Sequence, residues 1–247
     1  MDVTAYLDRI GLPAPITPDL ESLRRLQAAH LRTVPFENLS IHLNEPILLT
    51  DEALFDKIVR RRRGGFCYEL NGAFAGLLTG LGFRVTLRSA RVFGRERYGP
   101  PLDHLALQVD LAEPWLVDVG FGRFSEAPLR LSTDAPQSDA YGEFRIDGLD
   151  VAMDGKPQYR LDPLSYELID FVPTCWWQQT SPDSHFTKSL ACSLPIEHGR
   201  ITLSGDRLIE TVGAERTETT LPENELLAAY QRYFGITLDR LPTPPTG

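Results

Sequence analysis

Cys67 follows Arg63-Gly64-Gly65-Phe66 and stands at the head of an expected helix. A helix N-terminus and neighbouring arginines both favour a thiolate, the form of cysteine that attacks carbonyl carbon. The two glycines allow a sharp turn that brings backbone amides close to a reacting carbonyl. The segment alone leaves two readings open: a nucleophile, or the small buried hydrophobe that most free cysteines are.

A thiolate mechanism needs a histidine, and the chain has five. His30 falls on an amphipathic helix, His42 after a short loop, His198 beside Gly199, and His185 in a Ser-Pro-Asp-Ser-His run. His104 opens an alternating run whose hairpin partner, Trp115-Leu116-Val117-Asp118-Val119, carries an acid. The connecting loop falls between Asp110 and Pro114. Positions 104 and 118 sum to an even number. In an antiparallel hairpin symmetric about a residue, the two side chains then share a face, opposite or diagonal to each other. That geometry lets a carboxylate hold an imidazole in one tautomer. The other reading of Asp118 is an edge-strand acid on the solvent face. Paired metal-ligand spacings such as Cys-x-x-Cys or His-x-x-x-His are missing, so no metal is expected. Cys175 and Cys192 lack a charged setting and read as inert.

Several elements must position these groups. Thr17-Pro18-Asp19 reads as a helix start with proline at the first helical position. Thr50-Asp51-Glu52 starts a second helix, striped by Leu54, Phe55, Ile58 and Val59. Arg60 to Arg63 should close it, with Gly64 as left-handed cap. A third helix runs from Cys67 through Leu70, Phe74, Leu77, Leu78 and Leu81 to Gly82. The period then changes from about 3.6 to 2. Residues 83 to about 185 read as half-buried strands of an antiparallel barrel or sandwich, with turns at Asp147-Gly148 and Asp154-Gly155. Two more strands flank Ser204-Gly205-Asp206. A helix follows from about Pro222 to Phe234 with Leu226, Leu227, Tyr230 and Phe234 inward, and the Pro242-Thr243-Pro244-Pro245 tail should be loose.

The 247 residues carry a net charge of −9 and are 42 % hydrophobic. That supports a sizeable core and disfavours non-specific binding to nucleic acid or anionic membrane. The Arg60 to Arg63 block, followed by Arg84, Arg88, Arg91, Arg95 and Arg97, is either a solvated basic face or a local field for an anionic cosubstrate. Three cysteines, no basic-then-apolar leader and no bilayer-length apolar run point to a cytoplasmic location.

Four segments in order, with His104 among them, resemble the arylamine N-acetyltransferase family. They are Val34-Pro35-Phe36-Glu37-Asn38-Leu39, Arg63-Gly64-Gly65-Phe66-Cys67-Tyr68-Glu69-Leu70-Asn71, Asp118-Val119-Gly120-Phe121-Gly122 and Ser181-Pro182-Asp183-Ser184-His185-Phe186-Thr187. The resemblance implies an α+β chain with a cysteine-protease-like triad. It implies a helical bundle over residues 1–82, a β-barrel over 83–187 and an α/β lid over 188–247. It implies acetyl transfer from acetyl-coenzyme A to arylamines, hydrazines or arylhydroxylamines through an acetylated cysteine, with macrolactam-forming amide synthesis as the alternative use of the same triad. It carries the triad onto Cys67, His104 and Asp118, the acceptor-pocket walls onto Phe36 and Phe121, and a structural pair onto Arg63 and Glu37. Arg95, Gly122 and Arg123 become candidate coenzyme A contacts. The partners expected are a small amine and the cosubstrate, without nucleic acid or membrane.

Overall fold

The computed structural model describes residues 1–94 and 96–243. Helices come first: α1 (Val3–Ile10) and α2 (Leu20–Thr33), a short strand β1 (Phe36–Glu37), then α3 (Leu39–His42), α4 (Asp51–Phe55) and α5 (Cys67–Gly80). An eight-stranded antiparallel sheet follows: β2 (Arg84–Val92), β3 (His104–Asp110), β4 (Pro114–Val117), β5 (Leu129–Arg130), β6 (Gln137–Asp139), β7 (Gly142–Asp147), β8 (Asp150–Met153) and β9 (Lys156–Tyr166). Its order, β5-β4-β3-β2-β9-β8-β7-β6, curls it into a nearly closed barrel. The Gln137 amide bridges the two edges: its Oε1 accepts from Arg130 N at 2.7 Å and its Nε2 donates to Arg130 O at 3.0 Å. Such bridging satisfies edge groups that would otherwise invite another chain.

Two helices, α6 (Val172–Thr180) and α7 (His185–Lys188), lead to a second sheet of β10 (Ala191–Ile196), β11 (Gly199–Ser204), β12 (Arg207–Val212) and β13 (Glu215–Thr220), closed by α8 (Glu223–Phe234). Strand β1 forms its far edge, pairing Phe36 with Ser193 and Glu37 with Cys192. The C-terminal sheet is thereby anchored in the helical region.

Strand β3 is buried on both faces rather than half-buried. Leu105, Leu107 and Val109 join the core under the helices, whereas Ala106 faces the barrel interior with Leu116, Phe144 and Tyr159. The alternation of the side chains therefore sorts residues between two cores, not between core and water.

Several local expectations shift. Asp19, not Thr17, caps α2, accepting from Ser22 N at 2.8 Å, and Pro18 precedes the helix. Thr50 caps α4 as expected, accepting from Ala53 N. Helix α4 continues into a π-helical turn over Asp56–Arg60, and Arg62 (φ 52°) takes the left-handed position assigned to Gly64. Gly64 is required for space instead: a Cβ there would lie 1.9 Å from Pro35 O. Residues 168–180 and 185–188 are helical, joined by a turn at 181–184, where strands were expected as far as about residue 185; Pro173 lies in the first turn of α6. Leu227 is exposed and Ala229 takes its inward place. Thr243 is tied down, its N–H donating to His42 O at 2.9 Å; Pro244 and Pro245 lie outside the described residues.

Candidate active site

Helix α5 presents Cys67 at its first position, with the thiol only 4 % exposed. Phe66 stands at the N-cap, and the Glu69 side chain accepts from Phe66 N at 3.2 Å, the carboxylate half of a capping box, which fixes the turn carrying the sulfur. The β3–β4 hairpin pairs Leu107 with Val117 and Asp110 with Pro114. Extending that register one step sets Asp118 opposite Ala106 and diagonal to His104. His104 Nε2 donates to Asp118 Oδ2 at 2.7 Å. The Cys67 sulfur is the other side-chain group near enough to act on the ring's charge.

Both members of that ion pair are almost fully buried. Burial alone would lower the His104 pKa. The Asp118 carboxylate, by charge and hydrogen bond, and the Cys67 sulfur outweigh burial and lift it to about 10. The imidazole is therefore a cation at neutral pH, and a cation beside a cysteine is the counter-charge a thiolate needs.

The site's remaining support was not singled out in the sequence. Asn71 lies one helical turn after Cys67 and is fully buried. Its Nδ2 donates to Asp118 Oδ1 at 2.9 Å and Leu105 O at 2.6 Å, and its Oδ1 accepts from Val119 N at 2.9 Å. One amide thus ties the helix that carries Cys67 to the strand that carries His104 and to Asp118. Gly120 N also donates to Asp118 Oδ1, at 2.9 Å. A Cβ on Gly120 would lie 2.7 Å from Cys67 Cα, so only glycine lets this loop cross the helix start. The signal for Asn71 was a polar residue inside an apolar helical stripe. Tyr159 carried no such signal. Its ring packs 5.3 Å from His104, and burial together with the Asp118 charge keeps its phenol protonated. The hydroxyl lies near Asp118 without reaching hydrogen-bond geometry.

Phe121 packs edge-on against His104 at 5.2 Å. Phe36 sits beside Gly65 through a parallel bridge, with Phe186 as its aromatic neighbour at 6.3 Å. Arg63 does not face the sulfur. Its guanidinium binds Glu37 at 3.0 Å and Glu45 at 3.3 Å. Arg60 and Arg61 pair with Glu52 and Asp56, so three of the four arginines of this block have acidic partners in their own neighbourhood, and Arg62 is exposed. Cys175 and Cys192 are buried, and burial pushes both thiols up. His185 is exposed on α7, its ring against Phe186, and among the described residues it makes no hydrogen bond to Cys67, His104 or Asp118.

Beyond the loop 118–122 lies a cavity of about 1070 Å³, lined by Arg32, Arg123, Tyr141, His198 and Arg200 among others. None of the three candidate triad residues lines it. Arg200 Nη2 donates to Gly122 O at 2.7 Å and Nη1 to Ser193 Oγ at 2.9 Å, while its buried Nε has no partner. Among the described residues no carboxylate pairs with it, and burial lowers its pKa. Arg123 thus lines the cavity and Gly122 is tied to it through Arg200; Arg95 lies outside the described residues.

A family model described as N-acetyltransferase matches residues 19–242. The arylamine N-acetyltransferase of Mycolicibacterium smegmatis is 35 % identical over 98 % of this chain and 94 % of that protein. Human arylamine N-acetyltransferase 1 is 32 % identical over 100 % of this chain and 98 % of that protein. The structure of the Mycobacterium marinum arylamine N-acetyltransferase in complex with CoA superposes with a TM-score of 0.86 at 33 % identity, covering 95 % of this chain and 93 % of that one. With full-length relatives in both sequence and shape, the chain belongs to the arylamine N-acetyltransferase family and is an acyltransferase.

Proposed function

We propose that the protein moves an acetyl group from acetyl-coenzyme A to the nitrogen of an arylamine, hydrazine or arylhydroxylamine through an acetyl-cysteine on Cys67. The observation that carries this is the buried His104–Asp118 pair at 2.7 Å, held beside the sulfur at a helix N-terminus. The Cys67 thiolate attacks the thioester carbonyl, and the carbon–sulfur bond to coenzyme A breaks after collapse of the tetrahedral adduct. Coenzyme A leaves as a thiol with the proton from His104. The amine then attacks acetyl-Cys67, His104 takes its proton, and the thiolate is regenerated. Free N–H groups in the first turn of α5 suit the oxyanion, where one such donor is worth roughly 3–4 kcal/mol.

Phe121 supplies an apolar wall next to His104, which suits an aromatic acceptor and discourages hydrolysis of the acyl-enzyme; Phe36 is the second wall. The cosubstrate's phosphates fit the cavity beside Gly122. An arginine without a carboxylate partner there is a ready anion site, since guanidinium matches phosphate oxygens in pairs. No metal enters the scheme. Three free, buried cysteines suit a cytoplasmic, reducing setting. No observation favours macrolactam formation.

Steady-state kinetics with varied acetyl-coenzyme A and a small arylamine test the proposal. A two-step exchange gives parallel double-reciprocal lines and, without amine, only slow coenzyme A release. Intersecting lines, or fast release without amine, would overturn it. Phe121→Ala should raise amine-independent release and weaken arylamine use; no change in either removes the wall assignment.

A further inference from the structure

Four buried charges lie behind the nucleophile, joined at the surface by Glu45 through Arg63, and the acetyl-transfer scheme does not use them. Lys57 projects inward from the π-helical turn and is buried, as are Arg63, Glu37 and Glu69. Lys57 Nζ bonds Glu69 Oε1 at 2.6 Å and lies 3.9 Å from Glu37 Oε1. Arg63 turns to Glu37, whose second oxygen accepts from Leu39 N at 2.6 Å. Glu69 thus has one short cationic partner, Lys57. Its other oxygen holds Phe66 N–H, the amide immediately before Cys67. From Lys57 to the backbone of the nucleophile turn there are only two hydrogen bonds.

We infer that Lys57 is a positioning residue for Cys67, holding the Glu69 cap in place and cancelling its charge so that a thiolate can form two residues away. The inference rests on Cys67 being the nucleophile. Its physical basis is a count of like charges. With Lys57 present, the Glu69 carboxylate is neutralised locally, and a Cys67 thiolate has His104 as its counter-charge, its other near neighbours Tyr68 and Cys175 being kept neutral by burial. Without Lys57, a carboxylate and a thiolate share one small buried volume, and one of them must hold a proton. Protonated Glu69 would need an acceptor for its new O–H and would loosen the cap. Ionised Glu69 would oppose the thiolate. Either outcome slows the sulfur's chemistry at neutral pH. The other groups facing Glu69 do not replace Lys57. Glu37 has the same sign, Arg63 is engaged with Glu37 and Glu45, and Cys175 on α6 is kept neutral by burial. Burial also pushes the Glu69 pKa up, against the pull of Lys57, so a lone carboxylate there would be poorly tolerated.

The test is the rate of iodoacetamide alkylation of Cys67 against pH, read by peptide mass spectrometry in the full chain. It needs neither acetyl-coenzyme A nor amine. A Cys67→Ala control loses the labelled peptide, and slow, ordinary-thiol alkylation in the wild type would count against the nucleophile reading itself. With fast wild-type alkylation, Lys57→Met should slow the rate at pH 7 by about tenfold and move the pH profile about one unit upward. Adding Glu69→Gln to Lys57→Met removes the unpaired charge but keeps an acceptor for Phe66 N–H. The double variant should recover to within about threefold of wild type, since its charges balance again. Where Lys57→Met does not fold, Lys57→Gln with and without Glu69→Gln gives the same comparison. An unchanged profile in the folded single variant overturns the inference. A slow double variant overturns it too, because Lys57 would then act by packing alone.

Discussion

The triad pocket and the Arg200 cavity meet at one loop, residues 118–123, yet they are built on opposite plans. At the triad every polar atom of Asp118 is engaged: His104 on one oxygen, Asn71 and Gly120 on the other. The partners come from a helix, a strand and a loop, so no single element can move without breaking a bond. In the cavity, Arg200 is held by a carbonyl and a hydroxyl, and one of its buried N–H groups stays unmatched. The first arrangement fixes a geometry, as reacting groups must be fixed. The second leaves hydrogen-bonding capacity open, as a site for a ligand must. The difference predicts that damage at the triad destroys rate, whereas damage in the cavity weakens cosubstrate affinity.

The largest effect is expected at the sulfur. Cys67→Ala should abolish acetyl transfer with the fold intact by circular dichroism, while Cys175→Ala and Cys192→Ala remain active. Retained activity in Cys67→Ala would end the comparison at once.

Next comes the acid. Asp118→Asn keeps the shape but removes the charge that holds His104 as a cation. Acetyl transfer should fall by about two orders of magnitude or more, and alkylation of Cys67 near neutral pH should slow. The same variant changes stability against pH. His104 has a folded-state pKa of about 10, above its ordinary 6.5. Its pairing therefore stabilises fully below pH 6.5 and is lost as pH rises through about 10. Thermal melts of the wild type should show that alkaline decline, and Asp118→Asn should flatten it.

Asn71→Ala tests whether the triad is over-determined as described. Losing the amide leaves the Leu105 carbonyl and the Val119 N–H without their partner, a cost of about 2–4 kcal/mol in chemical denaturation. Activity should fall with it, by about tenfold or more, since Asp118 loses one of its anchors. A neutral Asn71→Ala would mean that the hairpin alone sets the geometry. The smallest effect belongs to the cavity. Arg200→Met should raise KM for acetyl-coenzyme A by about five- to tenfold with kcat nearly unchanged, and the difference should shrink in high salt. A fall in kcat at constant KM would place Arg200 with the triad instead.

The same contrast explains what the sequence made legible. The nucleophile turn and the His104–Asp118 hairpin are local in sequence: a glycine pair before a helix, and a hairpin whose parity sets both side chains on one face. The order of helices, then antiparallel sheet, then a smaller mixed region was likewise readable from the change in period, whereas the choice of barrel over sandwich came only with the family resemblance. Strand β13 was not, because all of its residues are exposed and polar and no alternation marks it. Residues 168–180 were misassigned because the run is short and its inward set is sparse, Phe171, Cys175 and Gln178. Arg200 was invisible because what gives it meaning, a carbonyl 78 positions away, is brought near only by the tertiary fold. The basic block at Arg60 to Arg63 stays open, on sequence alone, between a solvated face and a local field, because the acids that pair with Arg60, Arg61 and Arg63, namely Glu52, Asp56 and Glu37, cannot be matched to them from spacing.

The central claim is an acyl group on one sulfur, and intact-protein mass spectrometry after mixing with acetyl-coenzyme A, without amine, tests it most directly. The account predicts a gain of one acetyl group per chain, mapped to the Cys67 peptide, missing in Cys67→Ala and discharged when a small arylamine is added. An unmodified wild-type chain, or an acetyl group on any other residue, would contradict it.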